Sequence, residues 1–344
     1  MQSHTQQQEN LALSFVANAG VDLAKPTPQT LSQLVNESLQ QSAALSGRFS
    51  VVWGPGVCYG KGSSIQYPEN LMYVVQGSSA GDYRVVIRGT APASLYDWLL
   101  EDLLVVPPVP WSTFDANSPT GAAIGPGMCN GMHNLLAMKP AAGLPGANLS
   151  LMHYLKQLGS AGKPISLTVT GHSSGAALAS TLGLHFIDKL DPKIFTLTMQ
   201  TFAGETAGNQ AFASYLEQRF GNAALRIHNT LDLVPHAFQQ SDLEQIPTLY
   251  EPLIEPPPSY VTTLVNAFIN LTRSVGYTQF GPDQPLTGSL NNDYPQFMQQ
   301  VDYQHIDAYP PLLGLGGNDI VVVGGTTLSR RYGIAGRRNK ARRS

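Results

Sequence analysis

Charge is scarce in this chain. Of 344 residues, Asp, Glu, Lys and Arg make up only 12%, about half the usual share. A surface so poor in charge must be covered by Ser, Thr, Gln, Asn and Gly, a composition more common in secreted proteins than in the cytosol. Cysteine is nearly absent. Cys58 and Cys129 exclude a disulfide scaffold and a cysteine-built zinc site, and leave either one bridge or two buried thiols. No apolar run reaches the length of a membrane span. The richest, 99–106, is interrupted by Glu101 and Asp102 and stopped by Pro107 and Pro108. The first ten residues, MQSHTQQQEN, have neither the basic region nor the apolar core of a signal peptide. An extracellular location is therefore the expectation from composition, with a cytoplasmic one as the alternative. Basic residues are sparse except at one end. Seven of the 20 Lys and Arg residues fall between Arg330 and Arg343 with no acidic residue among them, leaving 13 basic against 23 acidic before them. The 330–344 tail reads as a solvated, disordered end rather than a nucleic-acid arm, so no nucleic-acid partner is expected.

What is present centres on 165–191, ISLTVTGHSSGAALASTLGLHFIDKLD. Alternating Ile165, Leu167 and Val169 predict a strand. The turn Gly171-His172-Ser173-Ser174-Gly175 follows, and Ala176–Ala179 are strong helix formers. Strand, sharp turn and helix with a serine at the apex form the nucleophile elbow of an α/β hydrolase. Such a turn strains the serine backbone and leaves no room for bulk on either side. A second G-x-S-x-G, Gly77-Ser78-Ser79-Ala80-Gly81, lies between the strand-like runs 71–75 and 83–87 with no helix after it. That context predicts a hairpin turn, with Ser79 a turn residue.

Around the elbow the pattern alternates. Residues 8–46 predict two amphipathic helices covering one edge of a sheet, and 50–90 is strand territory. Residues 93–106 form a short amphipathic helical stretch, 107–127 a Pro- and Gly-rich loop, and 128–138 and 149–158 two helices. Beyond the elbow helix come a strand at 194–203, a helix at 210–220 and a strand at 224–229. Residues 238–300 read as an irregular insertion with one apolar helix at 261–271. This β-α-β-α order predicts a mostly parallel sheet with helices on both faces, in one domain over 1–329. The chemistry of such a sheet sits at the carboxyl ends of its strands.

A serine hydroxyl needs a base, usually a histidine oriented by a carboxylate. In the α/β hydrolases these follow the serine in the order acid, then histidine. Four histidines lie after Ser173. His185 sits about three turns down the elbow helix, and His228 lies within a strand. His236 and His305 remain. Asp232 follows the 224–229 strand directly, in the strand-end loop where an orienting carboxylate belongs.

At this point the chain resembles the class 3, or fungal-type, lipase family. Ile87-Arg88-Gly89-Thr90 followed by Asp97-Trp98 and Asp102-Leu103 resembles its F-R-G-T/S, N-W and D-L motifs, and 169–179 its V-T-G-H-S-L-G-G-A-L-A. Thr201–Gly204 with Gly208–Phe212 is similar to T-F-G-x-P-R-V-G-N-x-x-F. Asn229–Pro235 resembles N-x-x-D-x-V-P, and His305–Tyr309 the terminal H-x-x-Y with one residue more between the two. The departures are Ser174 in place of leucine, Ala176 in place of glycine, and no proline or arginine after Gly204. The family's H-x-G-F segment has only Gly131-Met132-His133 as a candidate.

The resemblance implies an α/β-hydrolase fold with a short lid helix, and a Ser173–His305–Asp232 triad in place of the His236 alternative. It implies an oxyanion hole from Thr90 and Ser174, with Glu101 or Asp102 holding the Thr90 hydroxyl. Residues 91–106 would be a lid whose apolar face (Leu95, Trp98, Leu99, Leu103) covers the serine or enters a lipid–water interface. The expected reaction is hydrolysis of acylglycerols or other carboxylic esters through an acyl-enzyme. An esterase acting on soluble, phospholipid or aryl esters is the nearest alternative, and a catalytically silent lipid-binding homologue a third. No metal or cofactor is expected, and a monomer is favoured.

Overall fold

The computed structural model describes residues 4–60, 68–88 and 104–325. Seven strands form the main sheet, in the order β1-β2-β3-β6-β7-β8-β9. They are β1 (Phe49–Tyr59), β2 (Pro68–Gly77), β3 (Asp82–Arg88), β6 (Ile165–His172), β7 (Phe195–Phe202), β8 (Ala224–Asn229) and β9 (Asp283–Leu286). A separate two-stranded ribbon pairs β4 (Val109–Pro110) with β5 (Ala123–Ile124). The β1-β2-β3 meander is antiparallel and every pairing from β3 to β9 is parallel. The sheet is thus mainly parallel, as the α/β-hydrolase fold requires.

The strand alternation seen in sequence sorts side chains into two cores. On one face Met72, Val74, Val85, Ile87, Leu167, Val169 and Met199 meet α3 (Pro126–Ala137), α4 (Leu151–Gly159) and the elbow helix α5 (Ser174–Lys189). On the other, Leu71, Tyr73, Val75, Val86, Phe202 and Ile227 meet α1 (Gln6–Val16) and α2 (Pro28–Gln41). Burial of each Leu, Val or Phe contributes roughly 1.5–3 kcal/mol, so both cores are needed to hold a sheet of this size.

The N-terminal helices differ from expectation in one respect. Helix α2 covers the edge strand β1, whereas α1 crosses the middle of the sheet over β3, β6 and β7. The reason is polar. The α1-facing side of β6 carries Thr168 and Thr170, which meet Gln6 (3.5 Å) and Ser14 (3.2 Å), while Asn10 donates to Gln200 and accepts from Arg84. At an edge, buried Thr170 would lose its Ser14 partner.

The 238–300 region also departs from its reading as an irregular insertion. Its helix α6 (Ser259–Thr272) builds a third core with Val105, Leu233, Val234 and Phe238, and residues 283–286 return to the sheet as β9 beside β8. Asp-Gln-Pro-Leu has weak strand propensity, and only its place at the sheet edge makes it a strand. No disulfide joins Cys58 to Cys129. Among the described residues, no helix is long and apolar enough to cross a membrane. The expected lid residues Leu95, Trp98, Leu99 and Leu103, with Thr90, Glu101, Asp102 and the 330–344 tail, lie outside the described residues.

Candidate active site

Ser173 stands between β6 and α5 with φ 61° and ψ −137°, a conformation that costs a non-glycine residue on the order of 1–3 kcal/mol. The surroundings impose it. Ser173 N–H donates to the Phe202 carbonyl of β7 at 3.0 Å, and its own carbonyl accepts from Ala176 N–H at 2.8 Å. Gly171 is required by space, because a Cβ there would run into the carbonyls of Gly175 and Ile87. Ser174 is the first residue of α5 and is buried.

The turn aims the hydroxyl at His305, whose Nε2 lies 2.9 Å from Ser173 Oγ. The other ring nitrogen, Nδ1, is 3.0 and 2.9 Å from the two oxygens of Asp232. A carboxylate can only accept, so Nδ1 carries the proton and Nε2 is left to receive one from the serine. Asp232 is fully buried and His305 is 2% exposed. Burial alone would raise the Asp232 carboxyl. The His305 charge, with hydrogen bonds from His305, Tyr309 Oη and Val234 N–H, outweighs burial and holds it below its usual range. It therefore stays ionised at neutral pH.

The fold brings Ser173, Asp232 and His305 to one point across 132 residues, and the other histidines and Ser79 fall elsewhere. His236, the competing histidine, donates Nδ1–H to the backbone carbonyl of Asp232 at 2.8 Å, and so braces the carboxylate loop. His228 faces Asp283 Oδ1 at 2.9 Å across β8 and β9. His185 is half-buried along α5, and desolvation lowers its pKa to about 4. His133 contacts Cys129 and the ring of Phe114. Ser79 lies exposed in the β2–β3 hairpin.

Sequence reasoning gave no role to three supporting residues. Tyr309 Oη donates to Asp232 Oδ2 at 2.7 Å while accepting from Asn229 N–H at 3.0 Å. Asn229, the last residue of β8, donates through Nδ2 to the carbonyl and side chain of Gln304, one residue before His305. The third, His172, precedes the serine. The only signal for Tyr309 and Asn229 was their place in the motif resemblance.

The model of the lipase (class 3) family matches residues 84–241. The M37 lipase crystal structure is 31% identical and superimposes with a TM-score of 0.82, covering 91% of this chain and 93% of that one. The chain belongs to the class 3 lipase family. A phospholipase A(1), DAD1, chloroplastic, of Arabidopsis thaliana is 31% identical over 162 residues, 46% of this chain. The chain spans about a third (34%) of the length of that curated relative. Lip2 lipase from Yarrowia lipolytica, at 13% identity, covers 94% of this chain and 98% of its own with a TM-score of 0.52, a likeness of fold alone.

Proposed function

We propose that the protein is a serine carboxylic-ester hydrolase working through a Ser173–His305–Asp232 triad and an acyl-enzyme. One observation carries this reading: the hydrogen-bonded line from Ser173 Oγ through His305 to the ionised Asp232. His305 Nε2 takes the serine proton as Oγ attacks the acyl carbonyl, and Asp232 steadies the imidazolium that forms. His305 then returns the proton to the leaving alcohol. Water, activated by the same ring, releases the acid.

The developing oxyanion would be met by the backbone N–H of Ser174, at a helix start where the helix itself supplies no acceptor. The family resemblance implies Thr90 as the second donor, supported by Glu101 or Asp102. Removing one such donor typically costs on the order of 100–1000-fold in rate. The family resemblance implies a lid over 91–106 whose apolar face would be Leu95, Trp98, Leu99 and Leu103, residues outside those described. The preferred substrates are triacylglycerols at a lipid–water interface, consistent with the 31% identity to M37 lipase. The likeness to a phospholipase A(1) favours phospholipid esters as the second reading. Low charge supports a secreted protein, and a single domain over 1–329 accounts for the shared sheet and cores.

The deciding experiment measures hydrolysis of a p-nitrophenyl ester series, emulsified triacylglycerol and phosphatidylcholine vesicles, with fluorophosphonate labelling of Ser173. Emulsion hydrolysis that jumps above the substrate's solubility is expected. Faster turnover of vesicles would establish the phospholipase reading. A protein that neither hydrolyses these esters nor labels at Ser173 would refute the triad.

A further inference from the structure

His172 is buried, 9% exposed, beside the proposed nucleophile, yet its ring points to the base instead of the serine. Nε2 is 2.9 Å from the backbone carbonyl of His305. A carbonyl only accepts, so Nε2 carries the proton and donates it. The ring lies 4.7 Å from the His305 ring, 5.5 Å edge-on from Tyr309 and 4.9 Å from Phe15 of α1. Burial, with the neighbouring His305 charge, lowers its pKa to about 3, so the donor ring remains neutral through the working range of an ester hydrolase.

The backbone it holds is unusual. Residues Tyr303–Asp307 form a π-helical turn, a feature often found at functional sites. Carrying that register onward, the His305 carbonyl would look to residue 310, a proline with no N–H to give. Two successive carbonyls of the turn are instead held by side chains from strand ends. Asn229 of β8 donates to that of Gln304 and His172 of β6 donates to that of His305. The ring of His305 can reach Ser173 only if this turn keeps its place.

We infer that His172 is a positioning residue, whose Nε2–H fixes the backbone of His305 so that the imidazole stays aligned between Ser173 and Asp232. This rests on the triad reading proposed above. It makes the elbow two-sided: one residue presents the hydroxyl, and its neighbour presents the base. A displacement of about 1 Å at a reacting group can cost on the order of 100-fold in rate, so one backbone anchor is enough to matter.

The test compares His172→Phe, His172→Gln and His172→Asn. Phenylalanine keeps a ring against Phe15 and Tyr309 but cannot donate. Glutamine places an amide N–H near the original Nε2, and asparagine is too short to reach. For His172→Phe we expect kcat on p-nitrophenyl butyrate to fall roughly 10–100-fold, with KM within about twofold and fluorophosphonate labelling slowed in proportion. His172→Gln should recover to within about fivefold of wild type, and His172→Asn should not. Should the phenylalanine variant fail to fold, the Gln/Asn pair carries the same contrast. Full activity in a folded His172→Phe, or equal activity of the Gln and Asn variants, would overturn the inference. Absence of Ser173 labelling in wild type would instead sink the triad itself.

Discussion

The chain contains the pattern G-x-S-x-G twice, and the two copies have opposite fates. Gly77–Gly81 joins two antiparallel strands, with Ser78, Ser79 and Ala80 exposed. Gly171–Gly175 joins a central parallel strand to a buried helix and holds its serine at φ 61°. In the hairpin a Cβ on Gly77 would meet the side chain of Asp82, which can turn away. In the elbow a Cβ on Gly171 would meet backbone carbonyls, which cannot. The same five-residue pattern is thus an exposed hairpin turn in one place and a buried strand-to-helix turn in the other. What differs at the first glycine is whether its neighbour is a side chain at a surface or backbone inside a sheet.

The sharpest way to break the comparison is at the serines. Ser173→Ala should lower kcat on the order of 10⁶-fold, whereas Ser79→Ala should leave turnover and melting temperature unchanged. A large effect at Ser79 would mean that the two turns had been assigned the wrong roles. Next come the first glycines. Gly171→Ala should cost about 1–3 kcal/mol in urea denaturation and on the order of 100-fold in kcat, and Gly77→Ala less than about 1 kcal/mol with activity intact. Equal losses at the two positions would show that backbone crowding is not what sets the elbow apart.

A smaller effect is expected one layer behind the elbow. Tyr309→Phe removes a donor from a buried, ionised carboxylate, a loss of about 1.5–3 kcal/mol in stability. A roughly tenfold fall in kcat should accompany it, and an unchanged kcat would confine the hydroxyl to stability. The most diffuse contrast lies in acid. The folded pKa of His172 is lowered to about 3 from the ordinary 6.5, so only the unfolded chain takes up a proton between these values. The contribution of neutral His172 to stability is complete above pH about 6.5. It declines on acidification toward pH about 3, with a slope near 1.4 kcal/mol per pH unit. His172→Phe should flatten that part of the urea-midpoint profile, whereas Ser79→Ala should not.

Much of this was legible from residue order because each feature depended on near neighbours. Apolar alternation at Ile165, Leu167 and Val169 predicts a strand wherever it is placed, and Ala176–Ala179 propagate a helix. The 210–220 helix and the 224–229 strand were bounded correctly for the same reason. Asp283–Leu286 was not legible, because its strand character comes from β8 beside it. Nor was the path of α1, which follows threonines 156 and 162 residues away. His172 was passed over because its partner is a backbone carbonyl 133 positions downstream.

Residue order alone determined the class of the fold, the elbow, and Ser173, Asp232 and His305 as candidates, because strand, turn and helix chemistry is local and motif order is written along the chain. Tertiary structure alone decided which histidine faces the serine, why Asp232 remains ionised in a dry interior, and which carbonyl receives the His172 proton. Those are matters of distance and solvent access between segments far apart in sequence, and neither exists until the sheet has brought the strand ends together.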